Sequence, residues 1–123
     1  MIHRPAKRIL IVEDEVLVAM HLEDLLTEMG HQVVGPATRV NQAMELARRS
    51  EIDMAVLDVN VAGRTSFPVA DVLRQRGIPF VFATGYGAEG FVEGYRDEPT
   101  LRKPYEPQEL MRAIAAMFPP PSR

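Results

Sequence analysis

The seven residues ILIVEDE, Ile9 to Glu15, decide the fold. A strand with one wet face alternates apolar and polar side chains, whereas Ile9-Leu-Ile-Val12 is unbroken, so both of its faces must be covered. Such strands belong to parallel sheets with helices above and below. The three acids that follow then stand at the carboxyl end of that strand.

Working outward, the next segment places Val18, Leu22, Leu25, Leu26 and Met29 on one helical stripe, closed by Gly30. Gln32 to Pro36 reads as a second strand and Val40 to Arg49 as a helix with Met44 and Ala47 inward. Met54-Ala-Val-Leu57 is a third strand ending at Asp58. A helix from about Ser66, an N-cap with Pro68 in the first turn, runs to Gly77 with Val69, Val72 and Leu73 inward. Phe80-Val-Phe-Ala83 is a fourth strand, a short piece around Thr100 to Arg102 a fifth, and a last helix from Pro107 buries Leu110, Ile114 and Met117.

Five strands alternating with helices predict an α/β fold, a doubly wound five-stranded parallel sheet with helices on both faces. The 123 residues suit one domain over 1–123, with a core of about 8–118, flexible ends at 1–7 and 119–123, and no output domain. Hydrophobic residues make up 46% and charged ones 25%, as in soluble globular proteins. A net charge of -3 offers no basic field for nucleic acid. With no cysteine, disulfides, thiolate metal sites and cysteine nucleophiles are excluded. The apolar run Ile9 to Val12 is too short for a signal or membrane segment, so a cytoplasmic location is expected.

In such sheets ligands bind beyond the carboxyl ends of the strands. Glu13 and Asp14 follow the first strand, Asp58 the third, Thr84 the fourth and Lys103 the fifth. Three carboxylates at one edge repel one another unless a cation sits among them, and oxygen donors without cysteine or nearby histidine suit Mg²⁺. A lysine and a hydroxyl opposite complete a pocket for a phosphoryl group. Each residue has a plainer role when taken alone. Glu13-Asp14-Glu15 could favour a helix dipole, Asp58 could be a turn residue, Thr84 a strand end and Lys103 a solvated amine. It is their joint order after four different strands that points to phosphoryl transfer onto a carboxylate.

Ile11-Val-Glu-Asp-Glu15, Val56-Leu-Asp58, Ala83-Thr84-Gly85 and Lys103-Pro104 resemble, in order and spacing, the response regulator receiver domain (CheY-like, flavodoxin-like fold) of two-component signalling. The likeness runs from Arg8 to Phe118. It implies that Asp58 accepts a phosphoryl group from a phosphohistidine on a histidine kinase or a histidine phosphotransfer protein. It further implies Mg²⁺ held by Glu13, Asp14, Asp58 and the backbone carbonyl of Asn60, with Lys103 and Thr84 contacting phosphoryl oxygens. Lys103-Pro104 resembles the family's cis peptide.

Two positions depart from the pattern. An aromatic residue is common three positions before the lysine, where this chain has Thr100, and a proline is common soon after the phosphoacceptor, where it has Asp58-Val-Asn-Val-Ala-Gly63. That loop is therefore expected to be less stiff. Both departures, with Pro79-Phe-Val-Phe-Ala-Thr-Gly85, Tyr95, Pro99, Leu101 and Lys103-Pro-Tyr105, resemble the FAT GUY subgroup of single-domain receivers, which implies partnership with an HWE-type kinase and a protein target downstream. Four of the eight glycines fall between Gly85 and Gly94. Each interior glycine costs about 1 kcal/mol of helix propensity, so a short or mobile fourth helix is expected there. Phe91 and Tyr95 are read in it as core anchors in preference to surface aromatics.

His3, His21 and His31 lack metal-ligand spacing, and the methionines, Met20 and Met29 included, read as core filler. The chain is expected to be a monomer with no nucleic-acid or membrane partner. Two rival readings are a Mg²⁺-dependent phosphoryl-transfer or Toprim-like enzyme, against which Asn60 stands where a second acid is needed, and a degenerate receiver serving as a scaffold.

Overall fold

The computed structural model of the chain describes residues 6–85 and 99–118. In order, its elements are β1 (Arg8–Val12), α1 (Val16–Glu28), β2 (Gln32–Ala37), α2 (Val40–Arg49), β3 (Met54–Asp58), β4 (Asn60–Val61), β5 (Arg64–Thr65), α3 (Phe67–Gln75), β6 (Phe80–Thr84), β7 (Thr100–Arg102) and α4 (Pro107–Met117). The expected parallel sheet forms with strand order β2-β1-β3-β6-β7, and β4-β5 is a separate two-stranded hairpin. The segment expected to hold a short fourth helix, with Phe91 and Tyr95, lies outside the described residues.

The unbroken apolar strands divide strictly between two cores. Leu10, Val12, Ala55, Leu57, Phe80 and Phe82 pack with Ala43 and Ala47 of α2 and Val69 and Leu73 of α3. Ile9, Ile11, Met54, Val56, Val81 and Ala83 pack with Leu22 and Leu26 of α1 and Leu110 and Ile114 of α4. Successive strand side chains point to opposite faces, so a run with no polar break fills both layers. Phe82 anchors the first core through edge-to-face contacts with Phe67 (centroids 5.7 Å) and Phe80 (5.4 Å).

Four details differ from the sequence reading. β2 runs one residue further, to Ala37, because its pairing with β1 slips: Leu10 faces Val34 but Val12 faces Ala37. Ser66 does occupy the N-cap of α3, yet it makes no side-chain cap, and its buried Oγ has no hydrogen-bond partner among the described residues. Met20 and Met111 are not filler but are about half exposed, and Met20 shares the exposed start of α1 with Val16 and Leu17. Lys7, placed in the free end, is bonded. Its amide donates to His31 Nδ1 (3.0 Å), its carbonyl accepts from the Gln32 amide, and its ammonium lies 4.2 Å from the Phe118 ring centroid.

The loop after Asp58, read as lacking stiffness, is a hairpin. Asn60 pairs with Thr65 and Val61 with Arg64, while Ala62 (φ 50) and Gly63 (φ 84) make a tight turn in the left-handed region. Buried Val61 anchors it in the α2/α3 core, and the Ser66 amide donates to the Val59 carbonyl (3.0 Å). Ladder bonds supply the constraint that a proline would otherwise give.

Candidate functional site

The sheet order places the ends of β1, β3, β6 and β7 side by side. β1 lies between β2 and β3, so the chain reverses its direction of travel there, and the crevice opens between Val12 of β1 and Leu57 of β3. Glu13 continues the alternation of Ile11, Asp58 that of Val56 and Lys103 that of Leu101, which brings all three to the α1/α4 side. Thr84 continues the alternation of Phe80 and Phe82 and takes the opposite side.

Lys103 joins the acids. Its Nζ lies 2.5 Å from Glu13 Oε1 and 3.0 Å from Asp58 Oδ2. Both carboxylates are buried, Glu13 at 1% exposure and Asp58 at 7%. One oxygen from each of Glu13, Asp14 and Asp58 falls within 4.8 Å of the others. The Lys103 amide donates to the carbonyl of Thr84 (3.0 Å), and both Lys103–Pro104, as expected, and Gly35–Pro36 are cis peptides.

Backbone amides hold the acids in place. Glu13 N–H donates to the Ala37 carbonyl (2.9 Å), and Glu13 Oε2 accepts from the Glu15 amide (3.0 Å). Asp14 Oδ2 accepts from the Ala62 amide at the turn of the hairpin (2.9 Å). Asn60, whose carbonyl the sequence reading assigned to the metal, opens that same hairpin. Neither the Ala37 nor the Ala62 contact was foreseen. Asn-Val-Ala-Gly lacks the Asn-Gly signature of such turns, and a bulge register is not visible in composition.

Burial, and then the neighbouring Glu13 charge, push the Asp58 carboxyl up to about 7, with Lys103 pulling the other way. Burial also opposes the charge on Lys103, but Glu13 and Asp58 together hold its ammonium above the ordinary lysine range. Burial raises the Asp14 carboxyl as well, yet the Ala62 amide and a bond from Glu13 leave it below the ordinary carboxylate range. Tyr105, buried beside the site, is pushed up by its burial and by the Glu13 and Asp58 charges. One lysine thus leaves the three acids under-compensated. That excess negative charge, with oxygen donors only, fits a hard divalent cation.

The family model for the response regulator receiver domain matches residues 9–115. The chain belongs to the response regulator receiver family. The receiver is similar to SdrG from Sphingomonas melonis Fr1 (42% identity, TM-score 0.83), covering 94% of this chain and 99% of SdrG. It also resembles the phyllosphere-induced regulator PhyR of Methylorubrum extorquens, 37% identical over 92% of this chain and 44% of PhyR. The transcriptional regulatory protein PdtaR of Mycobacterium tuberculosis is 33% identical over 88% of this chain and 55% of PdtaR. The receiver therefore spans about half the length of these curated relatives. It is a signalling domain of two-component systems. No helix among the described residues is long and apolar enough to cross a membrane.

The position three before the lysine confirms the noted departure: Thr100 is exposed on β7. His21 is exposed on α1, and His31 serves as acceptor for the Lys7 amide; neither approaches a ligand set among the described residues.

Proposed function

We propose that this receiver acts as a cytoplasmic phosphoacceptor, in the single-domain manner that its likeness to SdrG over 99% of that chain supports, taking a phosphoryl group onto Asp58 from the phosphohistidine of a kinase, of HWE type, or of a phosphotransfer protein. An Asp58 carboxylate oxygen bonds to phosphorus as the phosphorus–nitrogen bond breaks, and the leaving imidazole nitrogen keeps the electron pair and takes up a proton. The product is an acyl phosphate.

Asp14, Asp58, the Asn60 carbonyl and, through water, Glu13 would hold Mg²⁺, which when bound neutralises charge on the phosphoryl oxygens. The chain's own residues do the rest. Lys103, now shared between Glu13 and Asp58, turns to a phosphoryl oxygen once Asp58 is phosphorylated. Thr84 supplies a hydroxyl to another oxygen, and Gly85 leaves the approach open. Thr84 then couples the loaded site to binding of a protein target, with the receiver a monomer. The observation that carries this reading is Lys103 lodged between two buried carboxylates at the switch point of the sheet. A similar structure is a BeF3-activated form of SdrG (43% identity, TM-score 0.78), which supports activation at the corresponding pocket of this receiver.

The test is incubation with Mg²⁺ and a small phosphodonor, scoring an acid-stable, base-labile adduct that Asp58→Asn removes. No adduct from a small donor or from a cognate kinase sinks the reading. An adduct on another residue would favour an enzyme of the Toprim-like kind or a scaffold with incidental chemistry.

A further inference from the structure

We propose that Gly35 is a positioning residue for the acidic pocket. The bulge it allows in β2 delivers the Ala37 carbonyl to the Glu13 amide and so sets the direction of the Glu13 carboxylate. The proposal rests on the phosphoacceptor reading for the purpose of the pocket, and on geometry alone for how the pocket is held.

β1 and β2 pair in register through Arg8–Gln32, Ile9–Val33 and Leu10–Val34, and the next pair is Val12–Ala37. Two residues, Gly35 and Pro36, therefore face Ile11, which defines a bulge. Pro36 has no N–H to give the ladder, so such a site accommodates it. Gly35 sits at φ +95, and a Cβ there would lie 2.7 Å from the Ala37 nitrogen and 3.1 Å from the Ile11 carbonyl oxygen. Both are backbone atoms and neither can swing aside as a side-chain tip can. Any L side chain at 35 must push β2 away from β1 or move Ala37.

Ala37 is the residue whose place matters to the site. Its carbonyl accepts from Glu13 N–H (2.9 Å), and the turn so fixed lets Glu13 Oε2 take the Glu15 amide while Oε1 meets Lys103 Nζ at 2.5 Å. Lys103 in turn reaches Asp58 Oδ2 at 3.0 Å. Three contacts, Ala37 to Glu13, Glu13 to Lys103 and Lys103 to Asp58, thus link the bulge at an exposed glycine on a sheet edge to the phosphoacceptor. Partners one step behind metal ligands commonly matter about 10–100-fold in metal affinity. Gly30 and Gly77 make useful contrasts, since both also have positive φ (+92 and +71) but open space where a Cβ would go.

The experiment compares wild type, Gly35→Ala, Gly30→Ala and Gly77→Ala by amide NMR. Hydrogen exchange at Glu13 is read in the metal-free protein, and Mg²⁺ affinity is then read by titration with the ion alone. In Gly35→Ala, Glu13 protection is expected to drop and Mg²⁺ affinity to fall about tenfold, the lower end for such partners. Gly30→Ala and Gly77→Ala lose thermal stability but hold wild-type affinity, which a purely structural role for Gly35 would also predict for Gly35→Ala. Should Gly35→Ala fail to fold, Ala37→Gly loosens the same bulge, with Ala47→Gly in α2 as its matched control. A drop in Glu13 protection and Mg²⁺ affinity for the first only supports the proposal. Wild-type affinity with a protected Glu13 amide in Gly35→Ala, or in Ala37→Gly if that is the variant that folds, overturns it. A wild-type protein that binds no Mg²⁺ would overturn the phosphoacceptor reading instead, and Glu13 exchange would still judge the bulge.

Discussion

Replacing Lys103 with methionine isolates the charge that holds the pocket together. Methionine keeps most of the length and apolar volume of lysine while deleting the ammonium that contacts Glu13 Oε1 at 2.5 Å and Asp58 Oδ2 at 3.0 Å. Both acids are buried, so neither can recover its hydration without opening the loop. Removing one partner of a buried pair typically costs about 3–5 kcal/mol, because the remaining charge is left uncompensated. That loss is expected at about pH 8 without metal, where wild-type Asp58 is ionised in both folded and unfolded chains, and it falls toward the lower figure as far as Asp58 takes up a proton in the variant. At about pH 5 the folded Asp58 carboxyl, raised to about 7, is already neutral, so roughly half the loss should remain. For a chain of this size 1 kcal/mol moves the midpoint by about 3–5 °C, so Lys103→Met should melt about 10–25 °C below wild type at the higher pH. Saturating Mg²⁺ should restore most of that difference by placing two positive charges where one was removed. Thermal unfolding followed by far-UV circular dichroism, at both pH values with and without Mg²⁺, reads all four cells. An equal loss in all of them would mean that Lys103 contributes packing and not charge, and the electrostatic account of the site would fall.

The opposite sign is expected for Asp58→Asn. An acid whose folded pKa is raised costs stability as pH climbs from about 4 to about 7, so this variant should be more stable than metal-free wild type at about pH 8 by about 1–3 kcal/mol and close to it at about pH 4, checked by urea unfolding; a wild-type advantage at the higher pH would refute it. Because that proton competes with the cation, Mg²⁺ affinity should fall by up to about tenfold per pH unit below 7, measured calorimetrically; a flat profile between about pH 5 and 7 would contradict the raised carboxyl. Gly63→Val places a β-branched side chain at φ 84 in the hairpin turn and should cost about 1–2 kcal/mol, with the Ala62 amide losing exchange protection as its bond to Asp14 lengthens; a stability unchanged from wild type would show the turn to be unstrained by side chains.

Much of this molecule was legible because its strands are short, apolar and end in chemistry. Ile9 to Val12, Met54 to Leu57 and Phe80 to Ala83 each carry one signal twice, as burial on two faces and as a stop at a polar residue, and that sufficed to order the sheet. Glu13, Asp14, Asp58 and Lys103 followed from those stops. What stayed hidden depends on backbone geometry that side-chain chemistry does not encode. Nothing in Val34-Gly-Pro-Ala37 says that two residues will face one, and Ala62 is a poor advertisement for a left-handed turn. Ser66 looks like a helix cap by type and position, but its hydroxyl makes no cap. Met20 misled because a methionine near an apolar stripe looks inward until the stripe is placed on the sheet, and then it lies outside.

The alternation that sends Glu13, Asp58 and Lys103 to one side of the sheet and Thr84 to the other divides the protein's tolerance of mutation into two independent territories. Substitutions among Ile11, Val56 and Leu101 lie under the charged group and should alter how the site is loaded. Those among Leu57, Phe67 and Phe82 lie under the hydroxyl and should alter what the loaded site is heard to say. On the phosphoacceptor reading, loading and reporting would then drift separately in descendants of this chain, with one sheet serving as the wall between two workshops.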